Sequence, residues 1–290
     1  MILENRAELA GRVKLQISGG KRGTIDYPWQ DNMILNQGFE WMITASSPYP
    51  LAFRAFGVGS SSQAVQPTDT GLIAPIAFVS PYSADSGITH GWDAEGGFGW
   101  SRGVRTFARG AAAGNISELS TGTSANNTSV LARALVRDDM GNPTTITVLS
   151  DEVLTVTWEW RKWWTVAQPN TIEYLVDDVP LTTTVSYKQN LSTGAGGLGN
   201  GGVKPINSQL ISSNDGVFVG EFKTTFTESQ GNPQVESVGS SGDGGSGASS
   251  TSGQAFPNNS AYATFDPPIA KTNEFRLEIR HRIALTRRNT

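Results

Sequence analysis

Leu154-Thr155-Val156-Thr157-Trp158-Glu159-Trp160-Arg161 alternates large apolar residues with polar ones through four repeats. A period of two is that of a β-strand with one face buried, whereas a helix would scatter the two tryptophans and their aliphatic neighbours around its circumference. The stretch therefore predicts a strand that anchors a core, with Leu154, Val156, Trp158 and Trp160 inward and Thr155, Thr157, Glu159 and Arg161 toward water. A fold built on such a strand is mainly β.

The same pattern recurs on both sides. Val13, Leu15 and Ile17 alternate with Arg12, Lys14 and Gln16, and Ser18-Gly19-Gly20-Lys21 then turns the chain toward Thr24 to Tyr27, as in a hairpin. Val130 to Val136 and Thr144 to Leu149 read as neighbouring strands joined by the reversal Asp138-Asp139-Met140-Gly141-Asn142-Pro143. Phe275, Leu277, Ile279, His281, Ile283 and Leu285 alternate with Arg276, Glu278, Arg280 and Arg282 in a long terminal strand, expected at an edge that needs a cover. The period changes once. Between about 31 and 46, Leu35, Phe39 and Met42 share a helical face, with Asp31 or Asn32 as the cap, so one short N-terminal α-helix is expected. Gly57 to Gly71 is rich in turn residues and reads as an ordered surface loop.

All eight tryptophans lie at or before Trp164, and Ala167-Gln168-Pro169-Asn170 has the character of a linker. Two β-sandwich-like domains are expected, 1–165 and 166–290. The second contains two Gly-rich loops: 192–202, with six glycines in eleven residues, and 239–253, with six glycines and six serines in fifteen.

Composition narrows the function. The chain has 290 residues, a net charge of −4 spread evenly over both halves, and no cysteine. Neither half is a polyelectrolyte, so contact with DNA is not indicated. Disulfides and thiolate metal sites are ruled out, which leaves packing and subunit contacts to supply stability and favours a homo-oligomer. No segment reaches the length of a membrane span, and the first residues lack the apolar run of a signal peptide. The expectation is a protein made in the cytoplasm that leaves the cell as part of a particle.

Several spaced blocks resemble the tail and fibre proteins of tailed bacteriophages. They are Asn32-Met33-Ile34-Leu35-Asn36-Gln37-Gly38, Gly57-Val58-Gly59, Pro67-Thr68-Asp69-Thr70, Ile116-Ser117-Glu118-Leu119-Ser120, Leu131 to Val136, and Gly141 to Thr157. The resemblance covers roughly residues 30 to 165 and contains no catalytic residue. It implies a structural component of a virion, most naturally tail-associated, assembling with copies of itself and with other virion proteins. The alternatives are a receptor-binding fibre or spike module for a host-surface glycan, and a head decoration or head-fibre protein.

Enzymatic readings find little purchase. There are two histidines, His90 and His281, and no cluster with metal-ligand spacing, so neither a metal nor a cofactor is expected. The paired carboxylates Asp138 with Asp139, Asp151 with Glu152, and Asp177 with Asp178 are adjacent, so on a strand they point to opposite faces and suit turns and caps better than glycoside hydrolysis. No internal repeat of a β-helical depolymerase occurs. What remains are aromatic and basic groups. Trp92, Phe98 and Trp100 lie in a glycine-rich segment that either stacks on sugar rings or plugs an interface, and Trp163 and Trp164 fall on opposite faces of one strand. Arg276, Arg280, Arg282, Arg287 and Arg288 form a basic C-terminal edge that suits an acidic partner.

Overall fold

The computed structural model describes residues 2–44, 51–80, 88–165, 170–176, 179–189, 209–214, 216–226, 234–239, 248–250, 261–270 and 277–288. Strands β1 (Ile2–Gly19), β2 (Ile25–Asp26) and β3 (Gln30–Ile34) lead into the helix α1 (Asn36–Thr44) and a 3-10 turn (Leu51–Phe53). There follow β4 (Ala55–Gly59), β5 (Pro75–Val79), β6 (Ile88–Asp93), β7 (Phe98–Phe107), β8 (Gly114–Ile116), β9 (Glu118–Gly122), β10 (Val130–Leu135), β11 (Ile146–Val148) and β12 (Glu152–Thr165). The remaining strands are β13 (Asn170–Val176), β14 (Val179–Gln189), β15 (Gln209–Asn214), β16 (Val217–Phe226), β17 (Gln234–Gly239), β18 (Ala248–Ser250), β19 (Ala261–Ala270) and β20 (Leu277–Arg287). The protein is mainly β with one short helix among the described residues.

Strand β12 behaves as its alternation requires. Leu154, Val156, Trp158 and Trp160 are buried. It lies between β1, paired from Arg6↔Thr165 to Gly19↔Glu152, and β7. The buried tryptophans meet a second layer: Trp158 packs on Phe56 with ring centroids 6.0 Å apart, and Trp160 on Phe53 at 5.4 Å. The approach is close enough that a Cβ at Gly103 of β7 would sit 2.7 Å from that of Phe53, so this position takes only glycine. The facing layer runs β3-β10-β9-β4-β5, and β3 belongs to both, since it pairs with β1 and with β10. The two layers are thus one sheet folded over at β3, with the aromatic core inside.

That role for β3 revises the expected helix. Residues 30 to 34 are extended because Gln30, Asp31 and Asn32 answer the backbone of β1, and the helix starts only at Asn36. Neither Asp31 nor Asn32 caps it. The Phe39 amide donates to the Leu35 carbonyl at 3.2 Å, which makes Leu35 the residue that opens the first turn. Phe39 stacks on Phe218 of β16 at 4.8 Å, nearly parallel.

The terminal strand is not an edge. β20 lies parallel to β1, with Ile2↔Arg280 through Leu9↔Arg287, and antiparallel to β16 on its other side. Phe218 and Leu285 belong to the same core as Trp158. The position near 166 therefore ends β12 but does not divide the sheet, because β15, β16 and β20 return to it, while β13, β14, β17, β18 and β19 form a separate five-stranded sheet. Gly57 to Gly59 is buried strand β4, not loop, and the surface segment begins at Ser60. The segments around Pro143 also part company: β10 pairs with β9 and β3, β11 pairs with β8, and only the bridge Arg137↔Pro143 joins the two. The reversal between them is as expected, with Asp138 Oδ1 accepting from the amides of Met140 and Asn142. Residues 167–169 of the linker, all of 192–202, and 240–247 with 251–253 lie outside the described residues.

Segment 60–74 has no regular structure and few apolar side chains, so something else must hold it. Arg133 of β10, fully buried, donates through Nε to Glu118 Oε2 at 2.8 Å, through Nη1 to Asp69 Oδ2 at 2.7 Å and through Nη2 to the Gln63 carbonyl at 3.0 Å. Glu118 in turn accepts from the amides of Ile73 and Ala74. The buried charges are paired, and their hydrogen-bonding positions are filled by the segment's own backbone. A second buried carboxylate, Glu152, receives Arg22 from the β1–β2 turn at 2.7 and 2.5 Å and the Leu149 amide at 2.8 Å. The Arg22 hydrogen bonds, helped by that amide, hold the Glu152 carboxyl below the usual glutamate range.

Removing Glu118 leaves the buried Arg133 charge with Asp69 alone and takes the acceptor from the Ile73 and Ala74 amides. Glu118→Ala is expected to cost about 3–5 kcal/mol in urea unfolding, whereas Glu8→Ala, which breaks an exposed pair with Arg288, should stay within about 1 kcal/mol of wild type.

Candidate functional site

The outer face of the β1–β12–β7 sheet is where sequence and register bring reactive side chains together. Antiparallel pairing sets Arg12, Glu159 and Arg102 in one row, and Ala10, Arg161 and Trp100 in the next. Alternation predicts Glu159 in water, yet it is only 1% exposed. Its neighbours bury it. Arg12 Nε donates to Glu159 Oε1 at 2.7 Å, Arg161 Nε to the same oxygen at 2.8 Å, and Arg102 to Oε2 at 3.0 and 2.5 Å. Burial pushes the carboxyl up, but the hydrogen bonds from Arg12, Arg161 and Arg102 outweigh it and hold Glu159 below the usual range.

Aromatic rings interleave with these cations. Trp29, delivered by the β2–β3 connection, lies under Arg12 at 4.2 Å and near Arg102 at 5.3 Å. Arg102 also covers Trp100 at 4.8 Å, and Arg161 covers Phe98 at 4.7 Å. Phe98 meets Trp163 at 4.9 Å, and Arg288 stacks on Trp163 at 4.4 Å while pairing with Glu8 at 2.8 Å. Trp163 Nε1 donates to the Gly96 carbonyl in the β6–β7 turn. The result is a ladder of guanidinium and ring from Trp29 to Arg288, built of cation–π contacts, one ring–ring contact between Phe98 and Trp163, and the Glu159 carboxylate that joins Arg102 to Arg161. With three arginines around one carboxylate, the Glu159 cluster carries an excess of positive charge.

Four of the expected residues, Phe98, Trp100, Trp163 and Arg288, thus meet on this face. The Trp92-to-Trp100 segment is a β6–β7 hairpin and not a loop, with Gly91 opposite Trp100. The Trp100 ring lies across Gly91, where a Cβ would come within 2.4 Å of Cζ2. Trp92 occupies the position opposite Gly99, His90 that opposite Ser101, and Trp164 that opposite Ala7. The basic residues divide. Arg280 and Arg282 sit at Glu221 of β16, at 3.7 and 2.9 Å. Arg287 turns inward, donating to the Ile34 carbonyl and Asn36 Oδ1 and stacking on Phe39. They are not the open basic edge that the sequence suggests, because β20 is interior and β16 supplies the acid. Arg276 lies outside the described residues.

Sequence reasoning missed Trp29, Arg12 and Arg102. They are far apart in the chain and nothing local marks them, but the wet-face alternation of Arg12 and Glu159 in two long strands was the available signal. Among the described residues, no three His, Asp or Glu side chains converge as a cation site, and no helix is long and apolar enough to cross a membrane. Searches of protein-family models, of curated proteins and of solved structures find no match to the chain.

Because Glu159 titrates below the usual range, its contribution to stability is full above that range and is lost as pH falls through the depressed value. Denaturant unfolding from pH 7 to pH 2 should therefore show a steeper acid loss in wild type than in Glu159→Gln. The variant should also be less stable at pH 7 by about 3 kcal/mol, since three guanidiniums lose their counter-charge.

Proposed function

We propose that the chain is a structural component of a tailed-phage virion, most naturally tail-associated, which works by assembling with copies of itself and with neighbouring virion proteins. The observation that carries this reading is the state of the sheet edges. Among the described residues, β5 pairs only with β4 and β15 only with β16, and each presents an exposed isoleucine, Ile76 at 40% and Ile211 at 44%. Each edge is also blunted: β5 opens on Pro75, which has no N–H to donate, and the β15 register shifts between Leu210 and Ser212, around Ile211. Blunted edges discourage open-ended strand addition and leave side chains such as Ile76 and Ile211 to make the contact with a neighbour. A closed ring or bundle held by side chains answers both.

The resemblance over residues 30 to 165 supports the same conclusion. Its blocks at 32–38, 67–70, 116–120 and 131–136 hold the groups that fix segment 60–74: Asn36 donates its amide to the Pro67 carbonyl, and Arg133 joins Asp69 to Glu118. Those blocks hold scaffold residues.

A second reading, a receptor-binding module for a host-surface glycan, is favoured by Trp29, Trp100 and Trp163, which are only partly buried along one face. The two readings separate on particles. Gold labelling with an antibody against the chain is expected to mark tails, and the purified chain should be an oligomer by light scattering that Ile211→Lys reduces to smaller species. Label on heads alone would replace the tail assignment with head decoration, and particles free of label would remove the virion reading. Trp100→Ala and Trp163→Ala particles that assemble but no longer adsorb would establish the receptor reading instead.

A further inference from the structure

The strand order β15-β16-β20-β1-β3-β10-β9-β4-β5 has two ends, and they lie in different layers, β15 in that of β1 and β5 in the facing one. At the β5 end, Ala77 and Val79 pack on the core, so alternation turns Ile76 and Phe78 outward. The Phe78 ring lies across Gly57, where a Cβ would come within 2.5 Å of it, and Ile76 reaches over Gly114 of β8. Ile73 at 47% and Ile76 at 40% exposure stand on either side of the exposed Pro75 and give this end an apolar centre.

What surrounds that centre is polar but uncharged. From Ser60 to Val79 only Asp69 is charged, in a chain where 17% of residues are, and Arg133 neutralises it. The neighbouring turn from Gly122 to Ser129 has no charge at all, and Asn127 ties it to the segment by exchanging hydrogen bonds of 2.7 and 2.8 Å with Leu72. Gln37 Nε2 donates to the Thr70 carbonyl at 3.0 Å, so α1 holds the segment as well. Ser60, Ser62, Gln63, Gln66, Thr68 and Asn126 are exposed on this held surface. An apolar centre inside an uncharged, pre-ordered polar border is the anatomy of a protein contact, where charged side chains are depleted and the cost of ordering is already met.

The other end matches it. Strand β15, Gln209–Asn214, has no charged residue, and Ile211, 44% exposed, stands at its register shift. The ion pairs of this layer begin one strand further in, with Glu221 of β16 and its arginines on β20. Copies that each carry a net charge of −4 repel, so they meet most readily where neither surface is charged. A two-fold contact of β5 with β5 would leave β15 uncovered and require a second kind of contact, whereas a single head-to-tail contact covers both ends. We propose that copies of the chain join head to tail, the surface around Ile73 and Ile76 of one against the β15 edge of the next. This rests on the self-assembly reading above and adds to it which surface meets which.

The chain has no cysteine, so single thiols report contacts without background. Ile76→Cys and Ile211→Cys chains, co-expressed with different tags and treated with a short bis-maleimide, are expected to give a covalent dimer that contains both tags, and each variant expressed alone should give none. The double variant should run as a ladder of dimers, trimers and larger species on a denaturing gel. Both side chains are exposed, so the substitutions leave the core untouched. Dimers from either variant alone would show a two-fold contact and overturn the proposal while self-assembly stands. An oligomer by light scattering that yields no crosslink would place the contact elsewhere and overturn it equally. A chain that stays monomeric would remove self-assembly itself, and the proposal with it.

Discussion

Strand β1 must have its backbone hydrogen bonds answered on two edges over eighteen residues, and the rest of the structure follows from how that is done. One edge is simple, because β12 is long enough to run beside it from Arg6 to Gly19. The other is filled in relay: β20 from the end of the chain, then β3, then β2. Each recruit has a consequence. β20 draws the second half of the sequence into the first sheet, β3 carries the sheet around its corner to the second layer, and β2 brings in the turn whose Arg22 clamps Glu152. The seam between the first two partners falls at Ala10, which neither strand covers.

Charge is used in a consistent way across this frame. The buried carboxylates Glu118, Glu152 and Glu159 each sit where strands distant in sequence meet, and each is held by arginine from elsewhere in the chain. A buried ion pair adds little net stability over a well-packed apolar substitute, but it penalises any register that separates the partners. Strands slipped by one residue would turn Glu159 into the tryptophan core and leave three guanidiniums unopposed. The ladder on the outer face thus acts as a register lock for β1, β12 and β7.

The strands were legible wherever one face is buried, because period-two patterning survives in the local sequence. Leu154 to Trp158 and Val13 to Ile17 alternate between buried and more open positions as they read, whereas Glu159 reads as wet and is buried by its arginines. The helix was legible in kind but not in extent: Asp31 and Asn32 look like caps locally, and only the unsatisfied edge of β1 makes them strand. β20 read as an edge for the same reason, since a sequence displays alternation but not the neighbours on either side. The aromatic residues of the face were visible as a composition, whereas Trp29, Arg12 and Arg102 join it only through pairing across 57 and 147 residues. Segment 60–74 was legible as an ordered loop, but not what orders it, because Arg133 and Glu118 supply what its own side chains lack.

The groups that make this face look like a binding site are mostly engaged with one another. Arg12, Arg102, Arg161 and Arg288 each already have a carboxylate and a ring, so a ligand on the flat of the sheet must compete with contacts that cost nothing further to keep. A face stiffened by internal pairing offers any partner a fixed shape, so what it selects for is complementary form more than new charge pairs.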